Sequence, residues 1–162
     1  MEYILSLGSN LGNRIEHLKR AISQLNSIGK VGHISSLYET ASWGYGGSDY
    51  LNLCLVWKPI ELLNPMQILD QLQHIEHLIG RRRQNIQYVD RCIDIDIILG
   101  EKLVHNTERL EIPHSKMQDR NFVLIPLAEI CPHIKHPIFN KSILEILDEC
   151  SDTSSIKLYG KL

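Results

Sequence analysis

The chain has 162 residues, 43% hydrophobic and 22% charged, an ordinary globular composition with room for one domain and a substantial core. With 17 basic against 19 acidic residues its net charge is −2, which excludes global attraction to nucleic acid or to a membrane surface. Its 4 cysteines, Cys54, Cys92, Cys131 and Cys150, form no CxxC pair, which argues against a structural zinc or a redox motif and fits reduced thiols in the cytoplasm.

Residues 3–7 read as a first strand. The start of the chain lacks a basic region, and its apolar run breaks at Gly8-Ser9-Asn10, so no signal peptide is expected. No apolar run approaches the roughly 20 residues that span a bilayer. After the turn-rich Gly8-Ser9-Asn10-Leu11-Gly12, Asn13 with Glu16 three residues on resembles a capping box. Ile15, Leu18, Ala21, Ile22 and Leu25 then follow at helical spacing, up to Gly29.

A second strand is expected over 31–40, and a glycine-rich loop over 41–49. Residues 50–58 alternate: Leu51, Leu53, Leu55 and Trp57 on one face, Tyr50, Asn52, Cys54 and Val56 on the other. Asn64-Pro65 opens a second helix, with Ile68, Leu69, Leu72 and Ile75 apolar and Gly80 as its stop. A basic loop over 81–91 leads into an aspartate-bearing strand, followed by a hairpin through Gly100 to His105. Helices over 122–130, with Asp119 near the start, and 142–150, and a last strand over 156–159, complete the chain. The order β-α-β-β-α-β predicts an α+β, ferredoxin-like core in one domain over 1–162: an antiparallel sheet with helices on one face and the C-terminal helices covering the other.

The informative stretch is Arg91-Cys92-Ile93-Asp94-Ile95-Asp96-Ile97. In a strand Asp94 and Asp96 share one face and the isoleucines the other. Two neighbouring carboxylates repel, and Mg²⁺, which takes one or two carboxylates plus substrate phosphates, relieves the conflict. The other reading is a charged edge strand that resists aggregation. Arg81, Arg82, Arg83 and Arg91 lie on the approach to this strand, and a guanidinium fork matches phosphate geometry. His114 and Arg120 could add contacts to an anion, although a lone histidine also reads as structural. Gln73 and Glu76 read from periodicity as a solvated helix face. Tyr50 and Asn52 share a strand face, where a ring can stack on a heterocycle and an amide can bond its edge. The remaining histidines form no metal-ligand pattern such as HExxH.

Gly8-Ser9-Asn10-Leu11-Gly12, Tyr50-Leu51-Asn52, Gln73-His74-Ile75-Glu76, the Arg91-x-x-Asp94-x-Asp96 strand, and Pro113-His114 followed by Arg120-x-Phe122 together resemble the 6-hydroxymethyl-7,8-dihydropterin pyrophosphokinase family of folate biosynthesis. The resemblance runs in order through nearly the whole chain. It implies a transferase moving pyrophosphate from ATP to the pterin hydroxymethyl group, with release of AMP. Asp94 and Asp96 then resemble the ligands of two Mg²⁺ ions. Gln73, Glu76, Arg83, Arg91, Ile97, Arg109, His114 and Arg120 look like the ATP side, and Arg81 and Arg91 like catalytic loop residues. Tyr50 and Phe122 resemble the aromatic pair around the pterin, with Thr40, Trp43 and Asn52 as further pterin contacts. The family resemblance implies a monomer acting on small molecules.

The family often shows Thr-Pro-Pro at Thr40-Ala41-Ser42, Trp-Gly-Pro-Arg at Tyr88-Val89-Asp90-Arg91, and tyrosine at Ser115. These departures bear on loop behaviour and nucleotide contacts, and Asp90 could pair with an arginine. A metal-dependent phosphohydrolase or nuclease, and a nucleotide-binding module without catalysis, are the competing readings.

Overall fold

The computed structural model describes residues 1–42, 46–80 and 90–162. Trp43, Arg81, Arg83 and most of the expected basic loop lie outside the described residues.

Tyr3–Ser9 forms β1, buried along its whole length. Arg14–Ile28 forms α1, whose first turn is capped by the Asn13 side chain accepting from the Glu16 N–H. Gly29–Ile34 is β2, Leu37–Thr40 is β3 and Tyr50–Pro59 is β4. Pro65–Ile79 forms α2; it opens on a full capping box between Asn64 and Gln67 and ends on Gly80, at φ 113°. Asp94–Leu99 is β5, and His105–Asn106 and Glu111–Ile112 are the short β6 and β7. Asn121–Ile130 is α3, Ile143–Glu149 is α4 and Ile156–Gly160 is β8.

Among the described residues, β5, β1, β4, β3 and β8 lie side by side in that order, every pair antiparallel. β2 pairs with the later part of β4. With β2 and β3 taken together as the second strand, the order and the helices on both faces match the α+β, ferredoxin-like expectation.

Two local expectations change. The strand expected over 31–40 is two strands, β2 and β3, broken at Ser35-Ser36. Ser36 turns its N–H and hydroxyl to the Glu129 carboxylate, both at 2.9 Å, which takes its backbone out of the ladder. The hairpin expected through Gly100 to His105 lies further on, between β6 and β7, around a turn closed by the Thr107 N–H on the Leu110 carbonyl at 3.0 Å.

The alternation of β4 divides the interior in two. Leu51, Leu53, Leu55 and Trp57 join Leu5, Leu7, Ile95 and Ile97 beneath α1 and α2. Cys54 joins Ile4, Ile98 and the apolar faces of α3 and α4 on the other side. Trp57 lies so close to Gly29 that a Cβ there would fall 2.2 Å from its indole nitrogen. That nitrogen donates to the Leu25 carbonyl at 3.0 Å, locking the end of α1 onto the sheet. The first turn of α3 is fastened from afar: Asp152, not Asp119, accepts from the Asn121 N–H at 2.9 Å.

Candidate functional site

The aspartate strand behaves as its pattern requires. Ile93, Ile95 and Ile97 enter the core beneath α1 and α2, and Asp94 and Asp96 are half-buried on the opposite face. Pairing carries that face across the sheet. Asp94 lies opposite Gly8, Gly8 opposite Asn52, and Asn52 opposite Tyr38. Asp96 lies opposite Ser6, and Ser6 opposite Cys54, which α3 covers through Val123. Gly8 gives this row a close approach: a Cβ would meet the Asn52 Oδ1 at 3.1 Å and the Tyr50 ring at 3.4 Å.

Arg91 Nη1 bonds Asp94 Oδ2 at 2.8 Å, with both side chains about a quarter exposed. Burial opposes the guanidinium charge, but Asp94, Tyr50 and Asp96 outweigh it and raise the Arg91 pKa. Arg91 is therefore within electrostatic reach of both aspartates and of the tyrosine.

Glu76 is not on a solvated helix face. It is 3% exposed, and its Oε1 accepts from the Ile95 N–H at 2.8 Å. A carboxylate from α2 thus holds the β5 backbone between the two aspartates. Gln73, one turn earlier, is half-buried.

Beside β5 opens a cleft of about 480 Å³, lined by Leu69 of α2, by Asp96 and Ile97, by the β6–β7 turn with Arg109, and by His114. Arg109 bonds Asp70 at 2.9 Å, with both side chains more than half exposed, a contact that holds weakly against solvent. The His114 N–H donates to the Ile98 carbonyl at 3.0 Å and its Nδ1 accepts from the Lys116 N–H at 3.1 Å. A neutral ring with Nδ1 as acceptor carries its proton on Nε2. Burial, and after it the Arg120 cation, lower the His114 pKa below the ordinary 6.5, which favours the neutral ring. The Arg120 guanidinium also lies over the Phe122 ring, 5.6 Å from its centroid.

The organic-ligand side is built on β3, β4 and α3. Asn52 and Thr40 are both buried, and the Asn52 amide donates to Thr40 Oγ1 at 2.8 Å. Phe122, half-buried, packs against the cluster beneath α3. Next to Asn52, the Tyr38 hydroxyl donates to Glu129 at 3.0 Å. Burial first, then this bond and charge, push the Tyr38 pKa up to about 12.

Two further residues stand out that motif reasoning did not place in the site. Asn10 is 2% exposed. Its Nδ2 donates to the Ser48 carbonyl at 3.0 Å and to Asp90 Oδ1 at 2.7 Å, and its Oδ1 accepts from the Arg91 N–H at 2.7 Å. The turn motif around Asn10 was the available signal; Asp90 had none beyond its departure from the family pattern.

The site can be compared with known proteins. The model of the family described as 7,8-dihydro-6-hydroxymethylpterin-pyrophosphokinase matches residues 4–132. The chain belongs to this family. It is 36% identical over 146 residues to a 2-amino-4-hydroxy-6-hydroxymethyldihydropteridine pyrophosphokinase of Aquifex aeolicus, covering 90% of this chain and 89% of that protein. It is 38% identical over 159 residues to the protein of that name from Haemophilus influenzae, covering 95% and 96%. A crystal structure of Plasmodium falciparum HPPK-DHPS superimposes with a TM-score of 0.74 at 17% identity, covering 91% of this chain and 44% of that one. At that identity the superposition speaks for the fold.

The donors present on this face fit the Mg²⁺ expected from the aspartate pattern. Among the described residues no group of three or more His, Cys, Asp or Glu could hold a metal, unlike the closed ligand set of a structural zinc. Two half-buried carboxylates on one strand face are hard oxygen donors, the kind Mg²⁺ accepts when phosphates complete its coordination.

Proposed function

We propose that ATP and the pterin meet over the face formed by Asp94, Asp96, Gly8 and Asn52. The reaction follows from family membership: pyrophosphate passes from ATP to the hydroxymethyl group of 6-hydroxymethyl-7,8-dihydropterin in folate biosynthesis, leaving AMP. The observation that carries the placement is the register. One row of the sheet sets Asp94 in line with the buried Asn52 amide, while Asp96 also lines the cleft that holds Arg109 and His114.

In this reading ATP occupies the cleft. Ile97 and Leu69 offer apolar surface to its base, and Gln73, Arg109, neutral His114 and Arg120 offer donors to its polar groups. Glu76 serves this side by fixing β5. Arg91, already on Asp94, is poised for phosphate. The pterin ring lies between Tyr50 and Phe122, with Asn52 and Thr40 at its edge. Trp43 on the pterin side, and Arg81 and Arg83 on the phosphate side, complete the set from sequence resemblance alone.

Asp94 and Asp96 would hold two Mg²⁺ ions, which would supply neutralisation of the phosphate charge. Transfer of this type needs alignment and charge stabilisation more than covalent help from the protein. The chain supplies both through its fixed aspartates, its arginines and the aromatic walls.

We also read the chain as a single domain over 1–162, a cytoplasmic monomer acting on small molecules and not on nucleic acid or membrane. Two apolar clusters on opposite faces of one sheet support the single domain, and the net charge of −2 supports the ligand class. No helix among the described residues is long and apolar enough to cross a membrane.

The test is incubation with ATP, Mg²⁺ and the reduced pterin. AMP that forms only when pterin is present supports the reading. Nucleotide hydrolysis without pterin would favour a phosphohydrolase, and binding without product a binding module.

A further inference from the structure

We propose that Asp90 is a positioning residue for the transfer: it fastens the segment leading into Tyr50 to the segment carrying Arg91, and so fixes the pterin half of the site against the phosphate half. The inference rests on the site reading above.

Three pieces of chain meet at this carboxylate. Asn10 lies just past the end of β1, Ser48 two residues before Tyr50, and Asp90 one residue before Arg91. Asp90 Oδ1 accepts from Asn10 Nδ2 at 2.7 Å and from the Ser48 N–H at 3.3 Å, and Oδ2 accepts from the Ser48 hydroxyl at 3.3 Å. The backbone repeats the tie: the Asn10 N–H donates to the Arg91 carbonyl at 3.1 Å. Asn10 thus anchors both neighbours to the sheet, while Asp90 joins those neighbours to each other.

A carboxylate suits this place because it offers several lone pairs and no donor, and at least three donors among the described residues converge on it. Charge-assisted bonds of this kind are stronger than neutral ones. The bonds are also local. Asn10 keeps its own bonds to Ser48 and Arg91 if Asp90 is lost. Removing the Asp90 side chain should therefore leave the fold standing while the 46–49 segment keeps only the indirect tie to Arg91 that runs through Asn10.

The consequence falls on substrate handling. Tyr50 starts β4 directly after the fastened segment, and Arg91 bonds Asp94. With the tie present, binding meets both half-sites already in place, which reduces the ordering cost of association. Without it, the half-sites are joined through Asn10 alone, and binding has to complete their alignment.

The experiment is steady-state kinetics of pterin-dependent AMP formation by wild type, Asp90→Ala, Asp90→Asn and Ser48→Ala, with thermal unfolding of each. We expect Asp90→Ala to unfold close to wild type yet raise the pterin KM about tenfold, the size expected from losing charge-assisted bonds at a part-exposed site. The amide of Asp90→Asn still accepts from Asn10 and can donate to the Ser48 hydroxyl, so it should restore most of the loss. Ser48→Ala and Asp90→Ala combined should lose less than the sum of the two, since both break one tie. Kinetics of Asp90→Ala that match wild type would overturn the proposal. So would an Asp90→Asn enzyme as impaired as Asp90→Ala, because the hydrogen bonds that the amide retains to Asn10 and Ser48 would then hold nothing. A wild-type chain that forms no pterin-dependent AMP would instead take down the site reading, and this role with it.

Discussion

The Glu76 carboxylate, buried beneath α2, accepts from the backbone N–H of Ile95, the residue between Asp94 and Asp96. The two aspartates are set not only by their strand but by an acid on the neighbouring helix. Glu76→Leu would leave that N–H buried without this acceptor, costing about 1–3 kcal/mol. Glu76→Gln keeps an oxygen there and should cost less. Urea unfolding of both variants measures the difference. Activity should fall further than stability does, since a shift of about 1 Å in reacting groups can cost roughly 10²-fold in rate. Equal unfolding midpoints for Glu76→Leu and wild type would show that the bond holds nothing.

Gly8 separates Asp94 from Asn52 across the sheet. An added methyl would press on the Asn52 amide and the Tyr50 ring. Gly8→Ala should therefore weaken pterin binding more than nucleotide binding, by several-fold or more, as calorimetry with each ligand would show. Equal losses for the two ligands would point to a general distortion of β1.

His114 contributes a pH dependence of definite sign. Its folded pKa lies below 6.5 because of burial and then Arg120, so near and below pH 6.5 the unfolded chain binds more protons than the folded one. Stability is then complete above the unfolded pKa and is lost as pH falls through the folded value. The urea midpoint should drop between pH 7.5 and 5.5, and the drop should shrink in His114→Gln. A residual drop is expected from His136, whose pKa burial also lowers.

Much of this architecture was legible in the chain. The period-2 alternation of 50–58 and of 93–97 named both faces of β4 and β5 correctly, and Asn64-Pro65 and Gly80 marked the ends of α2. The break between β2 and β3 was not legible, because Glu129, which draws Ser36 out of the ladder, lies 93 residues away. The α3 cap by Asp152 was hidden for the same reason, being 31 residues distant. Strands of two residues, such as β6 and β7, carry no period to detect. Glu76 was misread although a signal existed. It stands four residues after Leu72 and three before Ile79, within the buried stripe of α2, and an acid in such a stripe marks a satisfied buried group.

The central claim is that transfer takes place over the aspartate face, and the most direct measurement compares wild type with Asp96→Asn in pterin-dependent AMP formation at saturating Mg²⁺. The Asn side chain keeps the shape of the strand face and removes a charge. On the proposal that Asp96 holds Mg²⁺, its loss forfeits several kcal/mol of transition-state stabilisation, so the rate should fall about 10³-fold or more, with an unfolding midpoint close to wild type. An Asp96→Asn enzyme that folds and turns over at near the wild-type rate would contradict the account.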